Sequence, residues 1–196
     1  MTTRARSQNA IVVGDIRVTY LVDGEARVAA TGLFPASTEE AWEKHRQWLG
    51  DDGRVGVSMG GFLVETAERK IVVDLGVGDL NLEIPDFARI ACGRFLDSFK
   101  QTGLTPEEVD TVVYTHLHFD HVGWTTSAGN LNFPNARHLS TEGEWAHWQK
   151  PDASGFAPNP ETVLVPLSSR IEHVDDGQAI APGVNVAATP GSRGSR

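Results

Sequence analysis

Four side chains within six residues carry donor atoms that a divalent cation takes: His116, His118, Asp120 and His121, in the pattern H-x-H-x-D-H. Imidazole nitrogen and carboxylate oxygen suit borderline ions such as Zn²⁺, which bind them at about 2.0–2.2 Å. The run Val112-Val113-Tyr114 before them has the β-branched and aromatic character of a buried strand. If strand geometry continues to residue 118, the period of two sets His116 and His118 on one face. Asp120 and His121 then follow in a loop ending near Gly123, where glycine allows a tight bend. A solvated polar turn that happens to carry histidines is the bland reading, and the specificity of the spacing favours metal binding over it.

The elements that must position this segment can be read outward from it. Thr105-Pro106-Glu107-Glu108 is a helix start with proline at the first helical position, delivering the chain into the ligand-bearing strand. Residues 86–101 carry Phe87, Ile90, Ala91, Phe95 and Phe99 at helical spacing, closed by Gly103, which predicts one helix. Cys92 within it reads as a small packed residue, because nothing nearby promises the electropositive setting of a reactive thiolate. Two strands, about 54–65 and 70–75, are joined by a turn at Ala67-Glu68-Arg69. Gly60-Gly61 in the first signals a bulge or a close backbone approach. Asp74 ends the second, where a carboxylate ties down a turn through backbone N–H groups.

Further out, residues 11–13 and 16–22 flank Gly14-Asp15 as a hairpin. Ser37-Thr38-Glu39-Glu40 predicts a helix running to about Leu49, with Gly50 as its stop. Trp42 and Trp48 on it are expected as core anchors, the alternative being the wall of a substrate mouth. After the motif, Thr125–Pro134 reads as a loop, Ala136–Ser140 as a strand, and Thr141-x-x-Glu144 as the start of a helix carrying Trp145 and Trp148. Lys150–Pro166 is expected to be a long loop beside the metals, with Phe156 as an apolar contact. Two strands, about 171–174 and 184–189, are expected to close the chain around a turn at Asp175-Asp176-Gly177. His45, His138, His147 and His173 fall outside any ligand spacing.

The H-x-H-x-D-H segment after its strand resembles the signature of the metallo-β-lactamase-fold hydrolase superfamily. Ile71-Val72-Val73-Asp74-Leu75-Gly76 is similar to that family's strand ending in Asp-x-Gly, and Ala188-Thr189-Pro190-Gly191 to the start of its T-P-G-H turn. The resemblance implies an α/β fold, the four-layer α/β/β/α sandwich, and a site of two zinc ions sharing a bridging hydroxide. His116 and His118 would serve the first ion, and Asp120 and His121 the second. Asp120 would also orient the nucleophile, and Asp74 would support the metal loop from behind. Attack of metal-bound hydroxide on an ester, lactone, amide or thioester is the implied reaction. Val18–Glu25, the Gly-Gly-Phe strand and the Gly-Arg-Phe-Leu segment resemble the lactonase and organophosphate-hydrolase-like branch, so a lactone or ester is the preferred substrate. A β-lactamase or glyoxalase-type thioesterase is the enzymatic alternative, and a non-catalytic remnant that binds a metal or a partner is the other.

Where the family has T-P-G-H, this sequence reads Thr189-Pro190-Gly191-Ser192, and the family's later bridging Asp and final His have no counterpart before Arg196. A serine hydroxyl is a poor zinc ligand. The expectation is one incomplete domain over residues 1–196, the N-terminal portion of the sandwich, with 1–10 a disordered arm and 192–196 an atypical tail. Weak metal uptake, weak or absent hydrolysis, and self-association through a bared apolar sheet face follow from it.

Composition bounds the rest. With 26 acidic against 17 basic side chains and a net charge of −9, the chain is poorly suited to nucleic acid and fits a small-molecule substrate. Its single cysteine allows no intrachain disulfide, which fits a reducing cytoplasm. No apolar run approaches the roughly 20 residues of a membrane-spanning helix, and Met1–Ala10 lacks an apolar signal core.

Overall fold

A computed structural model describes residues 9–150 and 155–189. Its spine is a long antiparallel ribbon. Strand β1 (Ala10–Val13) turns through Gly14, at φ +59°, into β2 (Ile16–Ala29), which pairs with β3 (Arg54–Glu65) along nearly its whole length. Between β2 and β3 lie α1 (Ala30–Leu33) and α2 (Glu39–Glu43). The Thr38 hydroxyl caps α2 by accepting from Ala41 N at 3.2 Å. The helix stops at Glu43 instead of running to Leu49, and Arg46–Trp48 forms a separate 3₁₀ turn. None of the α2 residues is buried, so no apolar face holds a longer helix to the body. Trp48 is 69% exposed and is therefore no core anchor. Trp42 is half-buried, its indole N–H donating to Ser37 Oγ at 2.8 Å.

From β3 the Thr66–Arg69 turn, pinned by Arg69 N donating to Thr66 Oγ1 at 2.9 Å, leads into β4 (Lys70–Val73). Then comes a hairpin of β5 (Asn81–Ile84) and β6 (Ala88–Cys92). The single helix expected over 86–101 does not form. Its first half is β6, laddered against β2 from Ala88 opposite Val28 to Cys92 opposite Gly24, and only Phe95–Lys100 is helical, as α3. Asp86 at φ +60° and Gly93 at φ +140° interrupt any helix there, and the free edge of β2 decides in favour of the strand. Cys92 is buried as expected, and burial pushes its thiol up to about 11.

A one-turn 3₁₀ helix at Pro106–Glu108, closed by a capping box between Thr105 and Glu108, delivers the chain into β7 (Thr111–Val113). Then follow α4 (Phe119–Val122), β8 (Thr126–Ser127), β9 (Asn130–Leu131), β10 (Arg137–Ser140) and α5 (Glu142–Trp148). The expected Lys150–Pro166 loop is helical at its end, a π turn at Pro160–Leu164 running into α6 (Val165–Leu167). Asn159 organises that turn by accepting from Glu161 N and Thr162 N. The chain continues through β11 (Ile171–His173), β12 (Ala179–Ala181) and β13 (Val184–Asn185). The last expected strand, over 184–189, is thus only two residues long and pairs with β12.

Among the described residues the large mixed sheet has nine strands, in the order β11-β10-β7-β4-β3-β2-β6-β5 with β1 beside β2. Strands β4, β7, β10 and β11 are mutually parallel, so their carboxyl ends leave the sheet on the same side. Leu21, Leu63, Val72 and Val112 from one sheet face pack with Phe95 and Phe99 of α3, Phe133, Trp148 of α5 and Leu167 of α6. Each such ring or branched chain contributes about 1.5–3 kcal/mol on burial. On the other face Tyr20 and Phe62 meet across the β2–β3 ladder with tilted rings 5.2 Å apart, and Phe62 is 45% exposed. The result is an α/β fold with a helical layer on one side of a mixed sheet. No helix among the described residues is long and apolar enough to cross a membrane.

Candidate metal centre

The site grows from the carboxyl ends of β4 and β7. Asp74, just past β4, adopts φ +59°, a left-handed conformation in which Asp is one of the few tolerated non-glycine residues. That twist turns its buried carboxylate toward the segment after β7. Oδ1 accepts from Thr115 N at 2.8 Å, and Oδ2 accepts from Thr115 Oγ1 and from His121 Nδ1, both at 2.7 Å. The Thr115 hydroxyl spends its one proton on Asp74, so toward His116 Nδ1, 3.1 Å away, it acts as acceptor. Both His116 and His121 therefore donate through Nδ1 into one relay that ends on Asp74, leaving Nε2 of each ring as the remaining nitrogen.

Strand geometry ends at Val113, earlier than the sequence suggests, and Asp120 and His121 lie on the single turn α4 rather than in a loop. The rings still come together. His116 stands 4.5 Å from His118 and 3.9 Å from His121, centroid to centroid. His121 Nε2 faces Asp120 Oδ2 at 3.5 Å, and Asp120 Oδ1 is buried with no hydrogen-bond partner among the described residues. Burial opposes protonation of His121, but its bonds to Asp120 and Asp74 outweigh this and raise its pKa to about 9. His116 is shifted the other way, by burial first and then by His121 and His118. Burial raises the Asp120 pKa, and the His121 hydrogen bond outweighs it, so the carboxyl ends below its usual range.

Gly123 does not provide the bend expected of it: its φ is −59°. Its role is a close approach, since a Cβ there would lie 1.9 Å from the Val77 carbonyl carbon. Gly61 does the same opposite Asp74, where a Cβ would sit 2.2 Å from the Asp74 carbonyl oxygen.

Several contributors escape a reading of the sequence. Glu144 looks like a capping-box residue of α5, and Thr141 Oγ1 does accept its N–H at 3.3 Å. Its carboxylate, however, reaches across to accept from Leu117 N at 2.8 Å and from the Trp148 indole at 2.6 Å, fixing the backbone between His116 and His118. Trp148 in turn lies edge-on to the His118 ring at 5.7 Å. Phe156, expected as an apolar neighbour of the site, lies 5.4 Å from the His118 ring. His138 is fully buried and bonded through Nδ1 to the Tyr114 hydroxyl at 3.0 Å. Burial lowers its pKa to about 4, so it stays neutral away from the site. Residues 190–196, with the Pro190–Ser192 part of the last turn, lie outside the described residues.

A pocket of about 540 Å³ adjoins His116, walled by Val73, Val113, Ile180, Val184 and Val186. No three His, Cys, Asp or Glu side chains among the described residues stand at coordinating spacing. The donor types are those a divalent cation takes: two imidazoles are anchored through Nδ1, and a buried carboxylate oxygen has no hydrogen-bond partner among the described residues.

A mixed sheet whose parallel strands β4 and β7 lead into a histidine-rich turn backed by a strand-end aspartate is an α/β fold. The metallo-beta-lactamase superfamily model matches residues 61–192, and the chain belongs to that superfamily. It is 28% identical over 144 residues to an N-acyl homoserine lactonase of Bacillus cereus, an alignment covering 66% of this chain and 52% of that protein. Among solved structures it is similar to a probable metal-dependent hydrolase from Staphylococcus aureus, with a TM-score of 0.73, 24% identity, and coverage of 88% of this chain and 64% of that one. It resembles equally the dizinc quorum-quenching lactonase AidC, at TM-score 0.73 and 18% identity, covering 88% of this chain and 63% of that one. The chain thus spans about half the length of the lactonase and under two thirds of the two structures.

Proposed function

We propose that His116, His118, Asp120 and His121 hold zinc for the hydrolysis of a lactone or ester. The observation that carries this reading is the relay in which Asp74 orients His121 directly and His116 through Thr115. Such anchoring is how a fold fixes the tautomer and direction of ligating imidazoles. It has no comparable use in a solvated turn. Bound zinc supplies a hydroxide-strength nucleophile at neutral pH and polarises a carbonyl.

The chain's own residues do the rest. Asp74 accepts the His121 Nδ1 proton directly and orients His116 through the Thr115 hydroxyl, Asp120 would offer an oxygen to the cation and to the attacking water, and the largely apolar pocket beside His116 would receive the substrate. Its valine and isoleucine walls favour an apolar acyl portion over a charged one. Support for a lactone comes from the N-acyl homoserine lactonase and from AidC, which is described in complex with N-hexanoyl-L-homoserine.

A panel of an acyl lactone, a cephalosporin and a thioester, each with zinc and with chelator, tests the reading. Slow lactone hydrolysis that chelation abolishes is expected. Cleavage of the cephalosporin or thioester in preference would move the substrate class, and chelator-insensitive turnover would remove the metal from the reaction.

A further inference from the structure

Two carboxylates are buried among the described residues, Asp74 and Asp23, and the metal reading uses only the first. Asp23 is fully buried at a bulge where the register of β2 against β3 shifts between Val22 and Gly24. A bulge re-aims a side chain, and here the redirected carboxylate collects five N–H donors. Oδ2 accepts from Val77 N at 2.7 Å and Gly78 N at 3.2 Å. Oδ1 accepts from Gly93 N at 3.0 Å, Phe95 N at 3.1 Å and the Trp124 indole at 3.0 Å. Gly76, at φ +57°, leaves the room: a Cβ there would lie 2.6 Å from Asp23 Oδ2.

Three of these donors sit on two segments at the site, 75–78 and 121–124, and the Gly93 and Phe95 amides lie between β6 and α3. Residues 75–78 run beside 121–124, joined by Leu75 N to His121 O at 2.7 Å, Gly123 N to Gly76 O at 2.8 Å and Trp124 N to Leu75 O at 3.0 Å. Asp23 grips one segment through the Val77 and Gly78 amides and the other through Trp124. Asp74 holds the opposite end of the same pair through Thr115 and His121.

We propose that Asp23 is a positioning residue for the ligand-bearing turn: by clamping 75–78 to 121–124 it sets where Asp120 and His121 stand. The inference rests on the metal reading above. Asp23→Asn keeps the shape but puts an NH₂ where N–H donors converge, whichever way the amide turns. Trp124→Phe removes a single donor and keeps an aromatic ring, so it reports even where the first variant fails to fold.

The experiment combines cobalt(II) titration, followed by the visible absorption of the bound ion, with amide hydrogen exchange of the metal-free protein. Asp23→Asn is expected to weaken cobalt binding about 10–100-fold, as loss of an outer partner does, and to alter the absorption band. Trp124→Phe shifts affinity in the same direction by a smaller factor. In the metal-free variants, protection falls at Leu75, Gly123 and Trp124 while β3 and β4 keep theirs. Unchanged cobalt affinity and spectrum in both variants would overturn the proposal, as would a loss of protection spread evenly over the chain. If the wild-type chain takes up no cobalt, the metal reading falls. The exchange pattern still decides whether Asp23 sets the turn.

Discussion

At the scale of single residues, the relay through Thr115 and Asp74 concentrates risk in one carboxylate. Asp74→Asn keeps a residue type that tolerates the positive φ, so it isolates the loss of charge from backbone strain. It leaves His121 Nδ1, Thr115 N or Thr115 Oγ1 facing a donor, and zinc affinity measured by competition with a chromophoric chelator should fall about 10–100-fold. Zinc must also compete with a proton. With the His121 pKa raised to about 9, the metal-free ring is protonated at neutral pH, and uptake has to expel that proton. Zinc affinity should therefore climb by up to about tenfold per pH unit toward pH 9 and flatten above it. A flat profile from pH 7 to 9 would show that His121 is not a ligand.

The meeting of His116, His118 and His121, with Asp74 behind them, is legible from the sequence because closely spaced polar residues leave a local pattern. Glu144 and Asp23 are not. Glu144 lies 27 residues from the amide it satisfies, and Asp23 lies 101 residues from Trp124. Asp23 turns inward only because the pairing register slips, a feature of two strands together.

At the scale of elements, glycines allow backbone segments to touch where the site needs them close. Gly123→Ala would drive a methyl group into the Val77 carbonyl, backbone that cannot swing aside. A loss of about 1–3 kcal/mol or more is expected, read as a lowered urea midpoint, together with weakened zinc binding. Wild-type stability and binding in that variant would show that the 75–78 and 121–124 segments are not held in contact.

Element type was hardest to read where tertiary pairing competes with periodicity. Phe87, Ile90 and Ala91 fall at helical spacing, yet Ala88–Cys92 is a strand because β2 offers it a ladder. The size of Trp48 argues for burial, but the helix that would carry it inward lacks an apolar face. Strand β3, the first half of β2 and the start of β7 are readable, since alternation and β-branched runs are local properties, whereas the run of β2 on to Ala29 along β3 is a matter of pairing.

At the scale of the whole molecule, a superfamily fold brings His116, His118, Asp120 and His121 onto one turn near two buried carboxylates. A catalytic zinc takes three protein donors and keeps a fourth position for water, so four donors serve one such ion and fall short of two. The most direct test is isothermal titration of zinc into the chain and into a His116→Ala/His118→Ala variant. One zinc per chain, with the heat lost in the double variant, is the predicted result. Identical heats from the two proteins, or two tightly bound ions per wild-type chain, would contradict it.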